Sequence, residues 1–215
     1  MPKILGVDPA LSNTGFTVFD TDTMKLIWQG AIKNPSGSSQ LGVPPYNKIR
    51  DAVKTVIESH KIDHVFVERM FQSRNPAVTE ALFIAQFMVK LACHEMGVPF
   101  HVVSIMGKDG WKNFVLGSEY TSVTGNLAKR HTRNATEKAL GVQFQSEHVA
   151  DSACIALAGW YLFSGTDYRT VLGVPIPEGV GIAAGKKPKM GGRKPRESKP
   201  RKTSRNSGCD PGDPS

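Results

Sequence analysis

The strongest constraint on this chain lies in its first 32 residues. Three short apolar stretches, Lys3–Val7, Thr14–Phe19 and Leu26–Ile32, follow one another too closely for a helix to fit between them. Strands joined this tightly pair antiparallel, so the chain opens with a meander. Asp20, Thr21, Asp22 and Thr23 supply local hydrogen-bonding side chains for the second reversal. After a Ser/Gly/Pro-rich loop from Asn34 to Pro45, the period changes. Ile49, Val53, Val56 and Ile57 predict a helix over 46–59, and Ile62–Val67 is a nearly continuous apolar run ending at Glu68. A strand that follows a helix here is expected to join the sheet in parallel, through a crossover.

The longest predicted helix runs from Pro76 to Met96. Val78, Ala81, Leu82, Ala85, Met88, Val89, Ala92 and Met96 form its apolar stripe, and Phe83, Ile84 and Phe87 make it wider than one sheet contact requires. Gly97 ends it and Val98–Val103 reads as a further strand. Residues 107–126 are irregular. Helices are expected over Leu127–Leu140, ended by Gly141, and over Glu147–Phe163. The expected fold class is α/β, with a mixed five-stranded sheet and helices on both faces.

Charge separates the body from the tail. The net charge of +8 comes almost entirely from Lys186–Arg205, which holds ten basic residues and one acid, Glu197; residues 1–185 are nearly neutral. We therefore expect a folded domain over 1–166, a Gly/Pro-containing linker over 167–185 and a basic, disordered tail over 186–215, where little apolar surface offsets the entropy of ordering. Three widely spaced cysteines, Cys93, Cys154 and Cys209, argue against a disulfide framework or a cysteine zinc site. The N-terminus lacks the basic and long apolar regions of a secretory leader, and no uninterrupted apolar run has the length of a membrane span. A reducing interior compartment without membrane association is expected: cytoplasmic or nucleoid-associated in a bacterial or phage context, nuclear or organellar in a eukaryotic one.

Three carboxylates hold special positions. Asp8 follows the first strand, Glu68 follows the fourth, and Asp151 stands near the start of the last helix, three residues after His148. In an α/β fold such points converge at one edge of the sheet. Clustered carboxylates repel unless a cation neutralises them, and Mg²⁺ prefers oxygen donors. Taken singly, Asp8 before Pro9 also reads as a turn start, and Glu68 as a surface partner of Arg69 or Arg74. Asp151 interrupts the apolar series Val149, Ala150, Ala153 and Cys154, where an unpaired acid is expensive. His148 reads as a metal ligand, a proton carrier or a hydrogen-bond partner of a carboxylate. Gly6 and Gly15 leave room for close backbone approach around Asp8. Lys129-Arg130-His131-Thr132-Arg133 is a basic patch suited to phosphates or, equally, a solvated helix face.

The stretch Gly6-Val7-Asp8-Pro9-Ala10-Leu11-Ser12-Asn13-Thr14-Gly15 resembles the opening of the Holliday-junction resolvase family RuvC, within the ribonuclease H-like superfamily. Val65-Phe66-Val67-Glu68-Arg69-Met70-Phe71 and His148-Val149-Ala150-Asp151-Ser152-Ala153 are similar to its second and third landmarks, in the same order. The resemblance covers about residues 3–163. It implies a ribonuclease H-like fold and a Mg²⁺-dependent endodeoxyribonuclease of the crossover-junction type. Two Mg²⁺ ions, replaceable by Mn²⁺, would be held by Asp8, Glu68 and Asp151, with His148 at the fourth position, which is Asp in many members. It further implies resolution of four-way or branched DNA by paired symmetric nicks from a homodimer built on the long helix near Phe83, Phe87 and Lys90. Phe71 matches an aromatic used near the junction centre, with ordinary packing as its plain reading. Lys112 and Lys129 match the family's DNA-side lysines, and Arg130 and Arg133 extend that patch.

Two rival readings accompany this one. Asp8 through Gly15 also resembles the first phosphate loop of actin-like phosphotransferases, which require a duplicated fold. His148 and the longer Gly117–Asn126 segment suit a broader branched-DNA or flap nuclease, or a junction-binding protein that does not cut.

Overall fold

The computed structural model describes residues 2–10, 12–33, 46–104, 110–116 and 125–172; side chains at 113, 116 and 125–129 lie outside that description. Strands β1 (Lys3–Asp8), β2 (Asn13–Asp20) and β3 (Leu26–Lys33) form the antiparallel meander. Helix α1 (Asn47–His60) then crosses to β4 (His64–Glu68), which runs parallel to β1, and α2 (Pro76–Glu95) leads to β5 (Phe100–Val103), parallel to β4. The sheet order is β3-β2-β1-β4-β5. It is the single sheet among the described residues, so the duplicated architecture of actin-like enzymes is not found there.

β5 starts two residues later than the apolar run predicts. The Val98 N–H is taken by the Cys93 carbonyl at the end of α2, and Pro99 has no N–H to give; its carbonyl accepts from Val65. The irregular stretch contains a short helix that periodicity did not reveal, α3 (Trp111–Leu116), because six residues are too few to display a stripe. α4 (Gly125–Leu140) and α5 (Glu147–Ser164) follow. Past Thr166, α6 (Tyr168–Leu172) packs Tyr168 into the core. Asp167 and Arg169 are buried as an ion pair at 2.7 Å, and the Arg169 guanidinium lies 4.8 Å over the Phe114 ring. The rest of the expected linker and the whole basic tail lie outside the described residues.

Strand alternation divides the core in two. Leu5, Val7, Phe16, Val18, Val65 and Val67 face α1 and α2, whereas Ile4, Phe19 and Phe66 face α5 with α3, α4 and α6. α5 is buried along most of its length, from Val149 to Trp160. α2 buries only Ala85, Val89, Ala92 and Cys93, leaving Phe83 and Phe87 exposed at 53% and 56%. Averaged over its length, α2 is long and apolar enough to cross a membrane, although Glu80 and Lys90 interrupt the run. Cys93 and Cys154 are buried free thiols.

Candidate active site

The alternation that sends Ile4 and Gly6 toward α5 sends Asp8 the same way, and on β4 it sends Glu68 after Phe66. Val7 pairs with Val67, so the two acids leave the sheet side by side from adjacent parallel strands. α5 completes the group. Its N-terminus is capped by Ser146, whose side chain accepts from the Val149 N–H. His148 and Asp151, one helical turn apart, lie on its first two turns.

Two glycines bring α5 close enough. A Cβ on Gly15 would collide with the His148 carbonyl, and one on Gly6 with the Ser152 carbonyl, so helix backbone rests against strand backbone. Behind this contact the Ser152 hydroxyl bonds Thr17 at 3.2 Å in the buried layer.

Asp8 is 5% exposed, and its Oδ2 lies 2.8 Å from His148 Nδ1. Glu68 is half-buried. Its Oε1 accepts from the Trp111 indole N–H at 2.9 Å, and its main-chain carbonyl accepts from the Gln86 amide at 2.8 Å. Desolvation, then the charge of Asp8 and, more weakly, that of Asp151, push the Glu68 carboxyl up to about 8; the Trp111 hydrogen bond and the Lys112 charge pull the other way. Three chain segments thus contribute these groups: β1 gives Asp8, which contacts His148 of α5, and β4 gives Glu68, which feels the charges of Asp8 and Asp151.

Among the described residues, no group of three or more His, Cys, Asp or Glu side chains is drawn close enough together to hold a metal ion. Chemically, the donors suit a hard divalent cation: oxygen ligands dominate, one imidazole joins them, and burial followed by the neighbouring charge of Asp8 raises the Glu68 carboxyl, a cost that a cation would offset.

The remaining expected site residues separate. Phe71, in the loop after β4, is 58% exposed, which removes the packing reading. Lys112, on α3, holds its ammonium 5.1 Å from the Trp111 ring centroid and is felt at Glu68. Arg130 is exposed on α4, and the Lys129 side chain is outside the described residues. Arg133 is engaged locally. Its guanidinium bonds Glu137 at 2.9 Å and the Phe144 carbonyl, while Glu137 also accepts from the Phe144 N–H. It ties α4 to the α4–α5 connection while its side chain stays 36% exposed. Trp111 and Gln86 had gone unnoticed. For Trp111 there was one signal: a Trp beside a candidate DNA-contacting lysine must find an acceptor if buried.

With this geometry, comparison with known proteins is decisive. The family model for crossover junction endodeoxyribonuclease RuvC matches residues 4–158. The chain belongs to the RuvC family. It is 30% identical over 166 residues to crossover junction endodeoxyribonuclease RuvC of Campylobacter hominis, covering 73% of this chain and 92% of that one. The RuvC of Ehrlichia canis is 26% identical over 165 residues, covering 74% and 96%. Among solved structures, T. thermophilus RuvC in complex with a Holliday junction substrate superposes with a TM-score of 0.59 at 20% identity, over 81% of this chain and 98% of that chain. A second Thermus thermophilus RuvC structure gives 0.58 at 24% identity, over 76% and 97%. The match establishes the ribonuclease H-like topology, and all three acidic landmarks fall within the family segment.

Proposed function

We propose that this RuvC-family chain is a divalent-metal-dependent endonuclease that resolves four-way DNA junctions by paired symmetric nicks. The reading is supported by family membership together with the 2.8 Å contact of His148 with Asp8 and the influence of the Asp8 and Asp151 charges on Glu68. Asp8, Glu68 and Asp151 would hold two Mg²⁺ or Mn²⁺ ions, with His148 as the fourth donor. When bound, such ions activate water and neutralise charge on the leaving oxygen in phosphoryl transfer, leaving 5′-phosphate and 3′-hydroxyl ends.

The protein's own groups provide the rest. Burial of Asp8 excludes water from one side of the site, and His148 orients the Asp8 carboxylate and is placed to carry a proton from it. Lys112 and Arg130, with Lys129, steer the DNA backbone past an acidic centre that would otherwise repel it. Exposed Phe71 offers a stacking surface for an opened base pair. Exposed Phe83 and Phe87, one helical turn apart on α2, give a second copy an apolar face, and a two-fold dimer matches a two-fold junction.

The test is cleavage of four-way, three-way, flap and linear DNA, each with Mg²⁺, Mn²⁺ or EDTA. The expected result is metal-dependent cutting concentrated on the four-way substrate, lost in Asp8→Asn and Asp151→Asn while junction binding persists. Equal cutting of flaps would replace this reading with a broader branched-DNA nuclease, and full cutting by either variant would remove the assigned chemistry. Sedimentation of Phe83→Asp should show monomers where the unaltered chain is dimeric.

A further inference from the structure

We propose that Trp111 is a positioning residue for Glu68, its indole N–H holding the carboxyl group in the orientation that receives a divalent ion. The inference rests on the nuclease reading and adds a residue that none of the acidic landmarks contains.

Trp111 is completely buried, and its Nε1 donates to Glu68 Oε1 at 2.9 Å. With Oε1 engaged, the hydrogen bond favours one orientation of the carboxyl group, in which Oε2 is the oxygen that would meet an ion. The indole is itself anchored. The Trp111 main-chain N–H donates to the Ser104 carbonyl at 2.9 Å, just beyond β5. Farther along α3, the Phe114 carbonyl accepts from Arg169 at 3.4 Å, beneath the same guanidinium that covers the Phe114 ring. Opposite, the Gln86 amide holds the Glu68 carbonyl, and the Arg69 N–H donates to Val103 at 2.7 Å. Glu68 is therefore clamped at its main chain and at one carboxyl oxygen. A role in packing alone would be met by any large aromatic ring; the indole adds one directed donor, and it is aimed at a proposed metal ligand. Losing a hydrogen bond that orients a ligand lowers metal affinity by about 10- to 100-fold.

The test compares the unaltered chain with Trp111→Phe, which keeps the ring packing and removes the donor. Mn²⁺ binding is followed by the electron paramagnetic resonance of the free ion, and folding by thermal melting in EDTA. Trp111→Phe should melt cooperatively and need about tenfold more Mn²⁺ for half-saturation. The Mg²⁺ concentration for half-maximal junction cleavage should rise in step, with much of the rate recovered at saturating metal. Unchanged Mn²⁺ affinity in a folded variant overturns the proposal. A second measurement needs no change at 111: in nitrogen–proton correlation spectra assigned with Trp28→Phe and Trp160→Phe, saturating Mg²⁺ should shift the Trp111 indole resonance and leave the other two in place. An indole signal indifferent to Mg²⁺, in a protein that binds the ion and cuts, also overturns it. A wild-type chain that neither binds Mn²⁺ nor cuts removes the nuclease reading first, before any variant is compared.

Discussion

His148 Nδ1 meets Asp8 Oδ2 at 2.8 Å, joining the last long helix to the first strand across 140 residues of sequence. The imidazole holds the most buried of the acids. His148→Ala removes both a donor and the brace on Asp8, so metal affinity should fall about 10- to 100-fold. His148→Asp restores an oxygen donor and should recover metal-dependent cutting. Mn²⁺ titration and junction cleavage of the two variants check this; an alanine variant with unaltered half-saturation assigns His148 a purely local role.

Glu68 makes stability depend on pH and on metal together. Its carboxyl is pushed up to about 8 in the fold, from an ordinary value of 4.5. As pH rises through the lower value, the unfolded chain gives up this proton while the folded chain keeps it. Metal-free protein should therefore lose stability between about pH 4.5 and 8 through this group, and the loss should level off above that window. Because an ion binds the ionised carboxylate, added Mg²⁺ should raise the melting temperature more at pH 8 than at pH 6. Melts in EDTA and in Mg²⁺ across this range test it, and Glu68→Gln should flatten the dependence.

The close approach of α5 predicts the effect of adding a single methyl group. Gly15→Ala would place its Cβ against the His148 carbonyl, a main-chain atom that cannot rotate away. Overpacking of this kind costs about 1–3 kcal/mol. Cleavage should fall further than stability does, because the displaced segment carries His148. Urea denaturation beside cleavage kinetics separates the two effects, and a stable, fully active Gly15→Ala would refute the contact.

The ion pair under α6 is a folding element. Asp167 and Arg169 side chains are only 6% and 4% exposed. Removing one partner strands a buried charge, so Asp167→Ala should lose about 3–5 kcal/mol of stability, read by urea denaturation. A loss below about 1 kcal/mol, the scale of a surface pair, would show the charge escaping to water.

Phe71 should act on DNA and hardly at all on the fold. At 58% exposure, Phe71→Ala should leave the melting temperature nearly unchanged. Loss of base stacking should weaken processing of the junction by about 1–3 kcal/mol, read as the change in cleavage kinetics with four-way DNA.

The meander, the parallel fourth strand and the acids at strand ends were legible because they depend on local rules. Tight reversals enforce antiparallel pairing, a crossover enforces parallel pairing, and strand ends in such a fold converge at one edge of the sheet. The partners of those acids were not legible. Trp111 reaches Glu68 from a six-residue helix that no periodicity announces, and Gln86 reaches the same residue from inside an apolar stripe. Arg133 read as part of a cationic run because sequence shows charge and not geometry; Glu137 and the Phe144 carbonyl claim its guanidinium. Asp167 and Arg169 resembled solvent-exposed chain, since two charges in a row of polar residues rarely signal burial.

The glycine contacts beneath α5 carry a mechanical consequence. At Gly6 and Gly15 no side chain stands between strand and helix, so movement of the first turns of α5 is passed directly to the strands there. The far end of the same helix is held by Phe163, whose ring packs against those of His64 and His101, so β4 is gripped by α5 at the end remote from Glu68 as well.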